Sequence, residues 1–117
     1  MRHVAEKKEG DFRKPLTEPV LLILTSLADQ PRHGYALMQD IQHISQGRVI
    51  LSTGTLYGAL RRMLEDGLIE RFEQDDTSRD KQAYRLTAGG RGQLQNELER
   101  MRQLTRAAAA RLRTSEA

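Results

Sequence analysis

Two residue types are missing altogether from the 117-residue chain, which has no cysteine and no tryptophan. Without cysteine, the chain can form no disulfide, no thiolate metal site and no cysteine nucleophile. Long apolar runs are also missing: the longest, Val20 to Leu24, has five residues, whereas a helix that spans a bilayer needs about 18. The first residues lack the apolar stretch of a signal peptide. We therefore expect a cytoplasmic protein without a membrane segment.

Patterns that mark catalytic and metal sites are missing as well. The three histidines, His3, His33 and His43, lie at no spacing that a metal site uses. The glycines at positions 89, 90 and 92 do not follow the dinucleotide-binding pattern, and no nucleophile–histidine–acid arrangement is visible. No aromatic residue lies in residues 88–117, so a stacking pocket for a small effector has no support there. We expect no enzyme, no metal and no cofactor, and the sequence identifies no effector.

Charged residues are plentiful and slightly basic in balance. They make up 30% of the chain, the formal net charge is +3 and the pI is about 9.6. A basic pI points weakly to a nucleic-acid partner, although a basic solvated surface without such a role fits equally well. Residues 1–14 are polar, of mixed charge and without periodicity, which predicts a flexible N-terminal arm. Its basic residues are candidates for contacts to DNA phosphates, but a plain disordered tail is the preferred interpretation.

Three helices are predicted in the first part of the chain. Thr17 is a good N-cap residue, and the apolar residues after it cover several sides of a helix that ends near residues 29–31. A second helix begins near residues 33–34, has apolar residues on one face and ends at residues 46–47. The β-branched residues at 48–51 favour a short strand. Ser52 and Thr53 cap a third helix, which ends at Gly67. Its predicted core-facing stripe is Leu56, Tyr57, Leu60, Met63 and Leu64.

A hairpin and a long helix follow. Residues 68–74 and 82–86 favour two strands, joined by a polar loop at 75–80 with turn-forming residues. Thr87 caps a last helix from about residue 88 to residue 113, whose first turn is weakened by three glycines. The order predicts a mainly α chain with a small β-hairpin. We expect a winged helix-turn-helix domain in residues 15–87 and a C-terminal dimerisation helix in residues 88–117.

The third helix is the candidate recognition helix, because the second helix of a helix-turn-helix pair enters the major groove. Small residues on its surface let the backbone approach a groove closely. Its N-terminus attracts phosphate, and an arginine can reach phosphate or guanine. Ordinary solvated arginines are the alternative. With the apolar stripe inside, the outer face carries Thr55, Gly58, Ala59, Arg62 and Asp66, with Arg61 on the flank.

Four motifs carry a resemblance to a known family. They are His33-Gly34-Tyr35, then LSTGTLYGALRRM at residues 51–63, EDGLI at residues 65–69 and YRLTAGG at residues 84–90. In this order and spacing they resemble the signatures of the PadR-like transcriptional regulators. The resemblance covers about residues 17–113. It implies a dimeric regulator, usually a repressor, whose third helix and wing bind DNA and whose terminal helix dimerises. The single C-terminal helix is similar to that of the short-form members.

The predicted DNA-binding residues come from the start of the second helix, from the third helix and from the wing. The contribution of the wing stays open, because its basic residues lie among Asp75, Asp76 and Asp80, which are alternatively plain turn formers. Tyr57 has two interpretations, a phosphate contact through its hydroxyl or a ring packed in the core. The predicted set is His33, Tyr35, Ser52, Thr53, Gly54, Thr55, Tyr57, Gly58, Arg61, Arg62, Arg79 and Lys81.

The last helix is too long, at about 25 residues of 1.5 Å each, to pack entirely on so small a domain. Its apolar residues recur every three or four positions, which suits a partner helix; a helix folded over its own bundle is the alternative. We expect a homodimer that binds double-stranded DNA at a palindromic operator, as a repressor. The alternative is a winged-helix protein-interaction module without DNA binding. The predicted dimerisation residues are Leu94, Leu98, Met101, Leu104, Ala108 and Leu112.

Overall fold

A computed structural model of the chain describes residues 15–72 and 82–116. Within these residues lie four helices and three short strands, so the predicted mainly α fold with a small sheet is confirmed. The predicted arm at residues 1–14 and the predicted loop at residues 75–80 lie outside the described residues. In chain order the elements are α1 (Glu18–Leu27), β1 (Arg32–His33), α2 (Gly34–Ile44), α3 (Thr53–Glu65), β2 (Ile69–Phe72), β3 (Ala83–Leu86) and α4 (Ala88–Glu116).

The start of α1 is fixed by the residue that the sequence predicts. The side-chain oxygen of Thr17 accepts a hydrogen bond from the backbone N–H of Val20 at 3.4 Å, and Glu18 lies at the positive end of the helix dipole. The helix is buried on several sides, as its apolar run predicts, because it packs against α2, α3 and α4 at once. Its buried residues are Leu22, Ile23, Leu24, Ser26 and Leu27.

A polar network holds the loop between α1 and α2. The buried hydroxyl of Ser26 donates to the carboxylate of Asp40 at 2.6 Å. Nε of Arg32 donates to the backbone carbonyl of Ser26 at 2.9 Å and lies 3.5 Å from Asp40. The other end of the guanidinium pairs with Asp29 at 3.2 Å. The end of α1, β1 and the middle of α2 are therefore joined through one arginine.

The segment between α2 and α3 is a turn, and the prediction of a short strand at residues 48–51 is wrong. Gln46 and Gly47 have φ angles of 56° and 82°, which reverse the chain directly after α2. The hydroxyl of Ser45 accepts from the backbone N–H of Val49 at 3.0 Å and donates to its carbonyl at 3.3 Å. These bonds use the polar groups that a strand would offer to a neighbour, so the segment pairs with none of the described strands.

The third strand of the sheet comes from a different part of the chain. β1 directly precedes α2 and pairs antiparallel with β3, with Arg32 opposite Tyr84. β2 pairs antiparallel with the other edge of β3, where Arg71 lies opposite Tyr84. The two arms of the predicted hairpin are confirmed, and the sheet order is β1–β3–β2. Because β3 is the central strand, it connects the start of α2 to the rest of the wing.

The first turn of α4 packs against the end of α3. Thr87 caps α4 as predicted, since its hydroxyl oxygen accepts from the backbone N–H of Gly90 at 3.0 Å. Gly67, with φ of 75°, ends α3 in the left-handed conformation that the sequence predicts. A Cβ atom at Gly90 would overlap the carbonyl oxygen of Leu68, so only glycine allows this approach. Of the helices in the described part, α4 included, none is long and apolar enough to cross a membrane.

One hydrophobic core joins all four helices and the sheet. Each of the first three helices contributes its apolar stripe, and α4 contributes a single leucine near its start. The half-buried Leu51, Leu64, Leu68 and Leu86 pack around this cluster. The core residues are Leu22, Ile23, Leu24, Leu27, Leu37, Ile41, Leu56, Ala59, Leu60, Met63, Ile69, Tyr84 and Leu94.

Candidate nucleic-acid interface

The side of α3 farthest from the core carries Gly54, Gly58 and Arg61, which recur at spacings of four and three residues. Arg62 lies beside this line and is exposed. The two glycines leave the backbone of the helix uncovered, and a Cβ atom at either would meet nothing within 4 Å. The opposite side is buried and consists of Leu56, Ala59, Leu60 and Met63.

Three residues of α3 lie elsewhere than the sequence predicts. Ala59, expected on the outer face, is 2% exposed, because it shares a face with Leu56 and Met63, three residues before it and four after it. Tyr57, expected on the core-facing stripe, is 43% exposed. Arg61, expected on the flank, belongs to the centre of the outer face. Each difference follows from a small rotation of the buried stripe around the helix axis.

The N-terminus of α3 is capped and open to solvent. The hydroxyl oxygen of Ser52 accepts from the backbone N–H of Thr55 at 3.1 Å and its proton is donated to the Thr55 hydroxyl at 3.0 Å. The backbone N–H groups of Thr53 and Gly54 belong to the first turn and have no acceptor within the helix. All four residues are exposed. Unpaired N–H groups and the positive end of the helix dipole together favour an anion at this position.

Two arginines lie two turns further along the same helix. Arg61 and Arg62 are both exposed. Within residues 15–72 and 82–116, neither guanidinium forms an ion pair with a carboxylate. A guanidinium with unused donors can bind one phosphate or the O6 and N7 atoms of guanine. The arrangement therefore suits an anionic and hydrogen-bond-accepting surface such as a DNA groove.

The start of α2 holds two further predicted residues in different environments. His33 is the N-cap residue but makes no capping hydrogen bond with its side chain. Its Nδ1 atom is buried and has no hydrogen-bond partner in the part of the chain that the structure describes. Tyr35 is 68% exposed, and its hydroxyl oxygen accepts from Nε2 of Gln39 at 3.2 Å. Tyr35 therefore projects into solvent, whereas the imidazole of His33 is half-buried beside the sheet.

Tyr57 connects α3 to the start of α2. Its hydroxyl oxygen lies directly over the backbone of Gly34, so that a Cβ atom at Gly34 would overlap it and would lie 2.9 Å from Cζ of the ring. The phenol is thus neither packed in the core nor directed freely away from the protein. The sequence did not predict that Gly34 contacts this ring. The available signal was a glycine at the first residue of a helix, where alanine has the better helix propensity.

The base of the wing is described, whereas its tip is not. Nε of Arg85 pairs with the carboxylate of Glu70 at 2.8 Å across the two strands, and its guanidinium lies 4.8 Å from the centre of the Phe72 ring. The ion pair joins two exposed side chains and stabilises the hairpin only modestly. The predicted contacts Arg79 and Lys81 lie outside the described residues, so their part in DNA binding stays a prediction.

The predicted dimerisation stripe divides into two parts. Leu94 is 8% exposed and belongs to the core of its own chain. Met101 is half-buried. Beyond it, the apolar side chains face solvent, with Leu104 61% and Leu112 65% exposed. Leu98 and Ala108 are also exposed, Leu98 to 40%.

Glu97 is buried, although a charged residue on a helix is usually exposed. Its side chain is 6% exposed and pairs with the guanidinium of Arg100. This hydrogen bond holds the pKa of the Glu97 carboxyl below its usual value, although burial acts in the opposite direction; the charge of Arg100 and a bond from the backbone N–H of Leu16 lower it further. Glu97 lies three residues after Leu94 and four before Met101, and this helical spacing from two apolar residues was the available signal that it faces inward.

Taken together, these elements define a class of protein. A helix-turn-helix pair, α2 and α3, is supported by α1 and flanked by a small antiparallel sheet, and α3 presents an open, arginine-bearing face. This is the winged helix-turn-helix fold of DNA-binding transcription regulators.

Comparison with known proteins identifies the family. The family model described as "Transcriptional regulator PadR-like family" matches residues 23–96. The chain therefore belongs to the PadR-like family of transcriptional regulators, and the resemblance seen in the sequence motifs is confirmed.

Individual relatives and structures agree with this assignment. The chain is 34% identical over 86 residues to the transcriptional regulator Rv3488 of Mycobacterium tuberculosis, a match that covers 74% of this chain and 78% of that protein. It is 38% identical over 85 residues to an uncharacterized 37.1 kDa protein in transposon TN4556 of Streptomyces fradiae, covering 73% of this chain but only 23% of that protein. The crystal structure of a PadR family transcription regulator from Clostridium difficile R20291 shares the fold, with a TM-score of 0.69 at 24% identity over 82% of this chain and 99% of that chain.

Proposed function

We propose that this chain binds double-stranded DNA as a homodimer and represses transcription from a palindromic operator. The observation that carries the proposal is the open face of α3. This one helix presents three features to solvent. They are the first-turn N–H groups of Thr53 and Gly54, the uncovered backbone at Gly58, and the guanidinium groups of Arg61 and Arg62. The major groove of B-DNA admits such a helix and offers it both phosphates and base edges.

The residues of this face divide into two roles. The N-terminal residues from Ser52 to Thr55 suit phosphate, because helix N–H groups and hydroxyls bind its oxygens without reading sequence. Arg61, at the centre of the outer face, suits a guanine edge. Tyr35 and the predicted wing residues Arg79 and Lys81 extend the proposed contact to the DNA backbone on either side, the last two on the evidence of the sequence alone.

The homodimer is proposed from the far part of α4. Leu104 and Leu112 are more than half exposed. A solvent-exposed row of apolar side chains along one helix commonly marks a protein–protein interface. A second copy of the same helix would cover both rows through a two-fold axis. Two recognition helices would then meet half-sites about one helical turn, or 34 Å, apart. This symmetry is the reason to expect a palindromic operator.

Repression is the mode of action that we propose for this dimer. A dimer that occupies two adjacent major grooves excludes other proteins from that stretch of DNA, and neither catalysis nor a bound cofactor is needed for this. The regulatory role of the family supports this part of the proposal.

The proposal is tested by measuring DNA affinity as a function of salt. The probe is a duplex that the wild-type protein selects from a random-sequence pool, compared with a scrambled duplex of equal length. We expect affinity for both to fall steeply as salt rises, because counterions are released from phosphates. Arg61→Ala with Arg62→Ala should weaken binding to the selected duplex by about 10-fold to 100-fold and reduce the salt slope by about one to two.

A matched control removes two arginines from another surface. Arg106 and Arg113 lie on the face of α4 opposite Leu104 and Leu112, and replacing both with alanine makes the same change in net charge. This control should retain the affinity of the wild type. If the wild type selects no duplex, or if it captures a protein partner in a salt-insensitive manner instead, the proposal is wrong and the protein-interaction module is favoured.

A further inference from the structure

Gly34, the first residue of α2, is buried beneath the ring of Tyr57. A Cβ atom at Gly34 would overlap the hydroxyl oxygen of Tyr57, would lie 2.9 Å from Cζ and would lie 3.5 Å from Cε1. The nearest atoms are therefore the far end of an aromatic ring whose residue is 43% exposed. A side chain at position 34 must displace this ring, either by turning it toward solvent or by moving α3 away from α2, and either change breaks the contact between Tyr57 and Gly34.

The same phenol lies where three elements of the fold meet. β1 ends at His33, immediately before Gly34, and its Arg32 pairs in register with Tyr84 of the central strand. Tyr84 is 6% exposed. Burial raises the pKa of the Tyr84 hydroxyl, the nearby Tyr57 raises it further and Arg71 lowers it. The Tyr57 ring thus joins the recognition helix to the start of α2, at the point where β1 ends.

The contact lies at the opposite end of α2 from the turn. The C-terminal end of α2 is joined to α3 by the turn that Ser45 and Val49 stabilise. Gly34 is ten residues before that end. A helix of this length spans about 15 Å, so the two attachments together fix the angle between the two helices. With the ring kept in its rotamer, moving Tyr57 outward by about 1.3 Å, to reach ordinary contact, would rotate α2 against α3 by about 5° about the turn.

We propose that Tyr57 is a positioning residue, whose hydroxyl end, seated on the backbone of Gly34, fixes the recognition helix at the angle that DNA recognition requires. The inference rests on the proposed DNA-binding function. It assigns Tyr57 a role through α2 in place of the direct phosphate contact that its sequence position suggests. Misplacement of a helix by a few degrees affects sequence readout more than phosphate attraction, because hydrogen bonds to base edges need closer geometry than a charge does.

The contact is tested first without DNA, with Gly34→Ala, Tyr57→Leu and the double variant. Leucine ends short of the atoms that contact Gly34. We expect Gly34→Ala to lower Tm by about 5–10 °C, since the added methyl group displaces the Tyr57 ring from its contact and overpacking is destabilising. The double variant should have the Tm of Tyr57→Leu alone, at equal protomer concentration. Should Gly34→Ala not fold by itself, recovery of a folded protein in the double variant is the same result. If the Tm decreases of the two single variants add in the double variant, the contact between Gly34 and Tyr57 is excluded.

The positioning role is tested with two probes, the duplex that the wild type selects from a random-sequence pool and a scrambled duplex of equal length. We expect Tyr57→Leu to weaken binding to the selected duplex by about 10-fold and to the scrambled duplex by less than about 3-fold, with an unchanged salt slope. Equal losses on both duplexes, with a slope smaller by about one, would overturn this role and assign Tyr57 to a phosphate.

The control is Gly92→Ala, a helical glycine with open space around it, which should leave both affinities unchanged. A wild-type protein that prefers no duplex would contradict the proposed function and the positioning role together. The Tm comparison would still decide whether the Gly34–Tyr57 contact exists, so the two failures are distinguishable.

Discussion

The two parts of α4 have the same secondary structure but different surroundings. Near its start, Gln93, Leu94 and Glu97 are all under 10% exposed and pack on the rest of the chain. Further along, Leu104 and Leu112 are more than 60% exposed. The first part is stabilised by tertiary contacts. Within the part of the chain that the structure describes, the second part has only its own hydrogen bonds and exposed pairs such as Glu99–Arg102, which contribute little.

In the proposed homodimer this difference gives one helix two tasks. Helical stability in proteins comes mainly from packing of an apolar face, and nothing in residues 15–72 or 82–116 covers the apolar face of the far part of α4. The proposal therefore assigns the near part to the winged domain and the far part to the contact with a second copy. The boundary lies near Met101, which is half-buried.

The largest expected effect comes from charging the uncovered face. Leu104→Glu with Leu112→Glu should convert the proposed dimer to a monomer, since burying four carboxylates across the interface is strongly unfavourable. Loss of the second half-site should weaken binding to the selected duplex by about 100-fold or more. Sedimentation equilibrium and DNA titration measure the two effects.

Ala110→Glu is the control for this variant, because Ala110 lies on the opposite face of the same helix and is exposed. It should remain dimeric. If the wild type is already a monomer at micromolar concentration, the comparison between the two parts of α4 loses its functional meaning, and the dimer is excluded.

A smaller effect is expected at the start of α4, from two glycines that differ only in their neighbours. Gly90→Ala should destabilise the fold by about 1–3 kcal/mol, because the new Cβ would overlap the Leu68 carbonyl oxygen and lie 3.0 Å from its carbon. Gly92→Ala, with nothing within 4 Å, should stabilise the helix by up to about 1 kcal/mol. Urea denaturation at one protein concentration measures both. If both variants change the free energy of unfolding in the same direction, the close approach of α4 to Leu68 is contradicted.

The smallest effect concerns the buried carboxylate. Because the pKa of Glu97 is lowered in the folded state, its stabilising contribution is present above the pKa of an unfolded glutamate and is lost as pH falls through the folded value. Between about pH 6 and pH 3 the free energy of unfolding of the wild type should therefore fall more than that of Glu97→Gln. Glu99→Gln removes an exposed partner of Arg102 at the same spacing and should leave the pH profile unchanged. Parallel profiles for wild type and Glu97→Gln would show that the buried pair does not stabilise the fold.

Local signals allowed much of the fold to be predicted. Thr17, Ser52 and Thr87 are N-caps because a hydroxyl can accept from a backbone N–H two or three residues later, and each makes that bond in the structure. Gly67 ends α3 because glycine adopts a positive φ without strain. The hairpin arms follow from the β-branched and apolar residues around the polar loop.

The candidate site was predicted in outline but not in its orientation. The third helix, its capped N-terminus and Arg61 and Arg62 follow from the sequence. The burial of Ala59 and the half-exposure of Tyr57 do not, because the apolar stripe is wide enough to allow several rotations of the helix about its axis. Only packing against the other helices selects one of them.

What the sequence determined by itself was therefore the four helices, the two hairpin arms, the helix caps and the presence of two arginines on α3, since these depend on residues a few positions apart. The tertiary structure alone decided which segment became the third strand, because pairing of β1 with β3 joins residues about fifty positions apart. It also decided which face of α3 is outermost, that Gly34 and Gly90 are needed where another backbone or ring approaches, and that, among the described residues, α4 is covered only near its start. Such contacts depend on distances in space that no local pattern encodes.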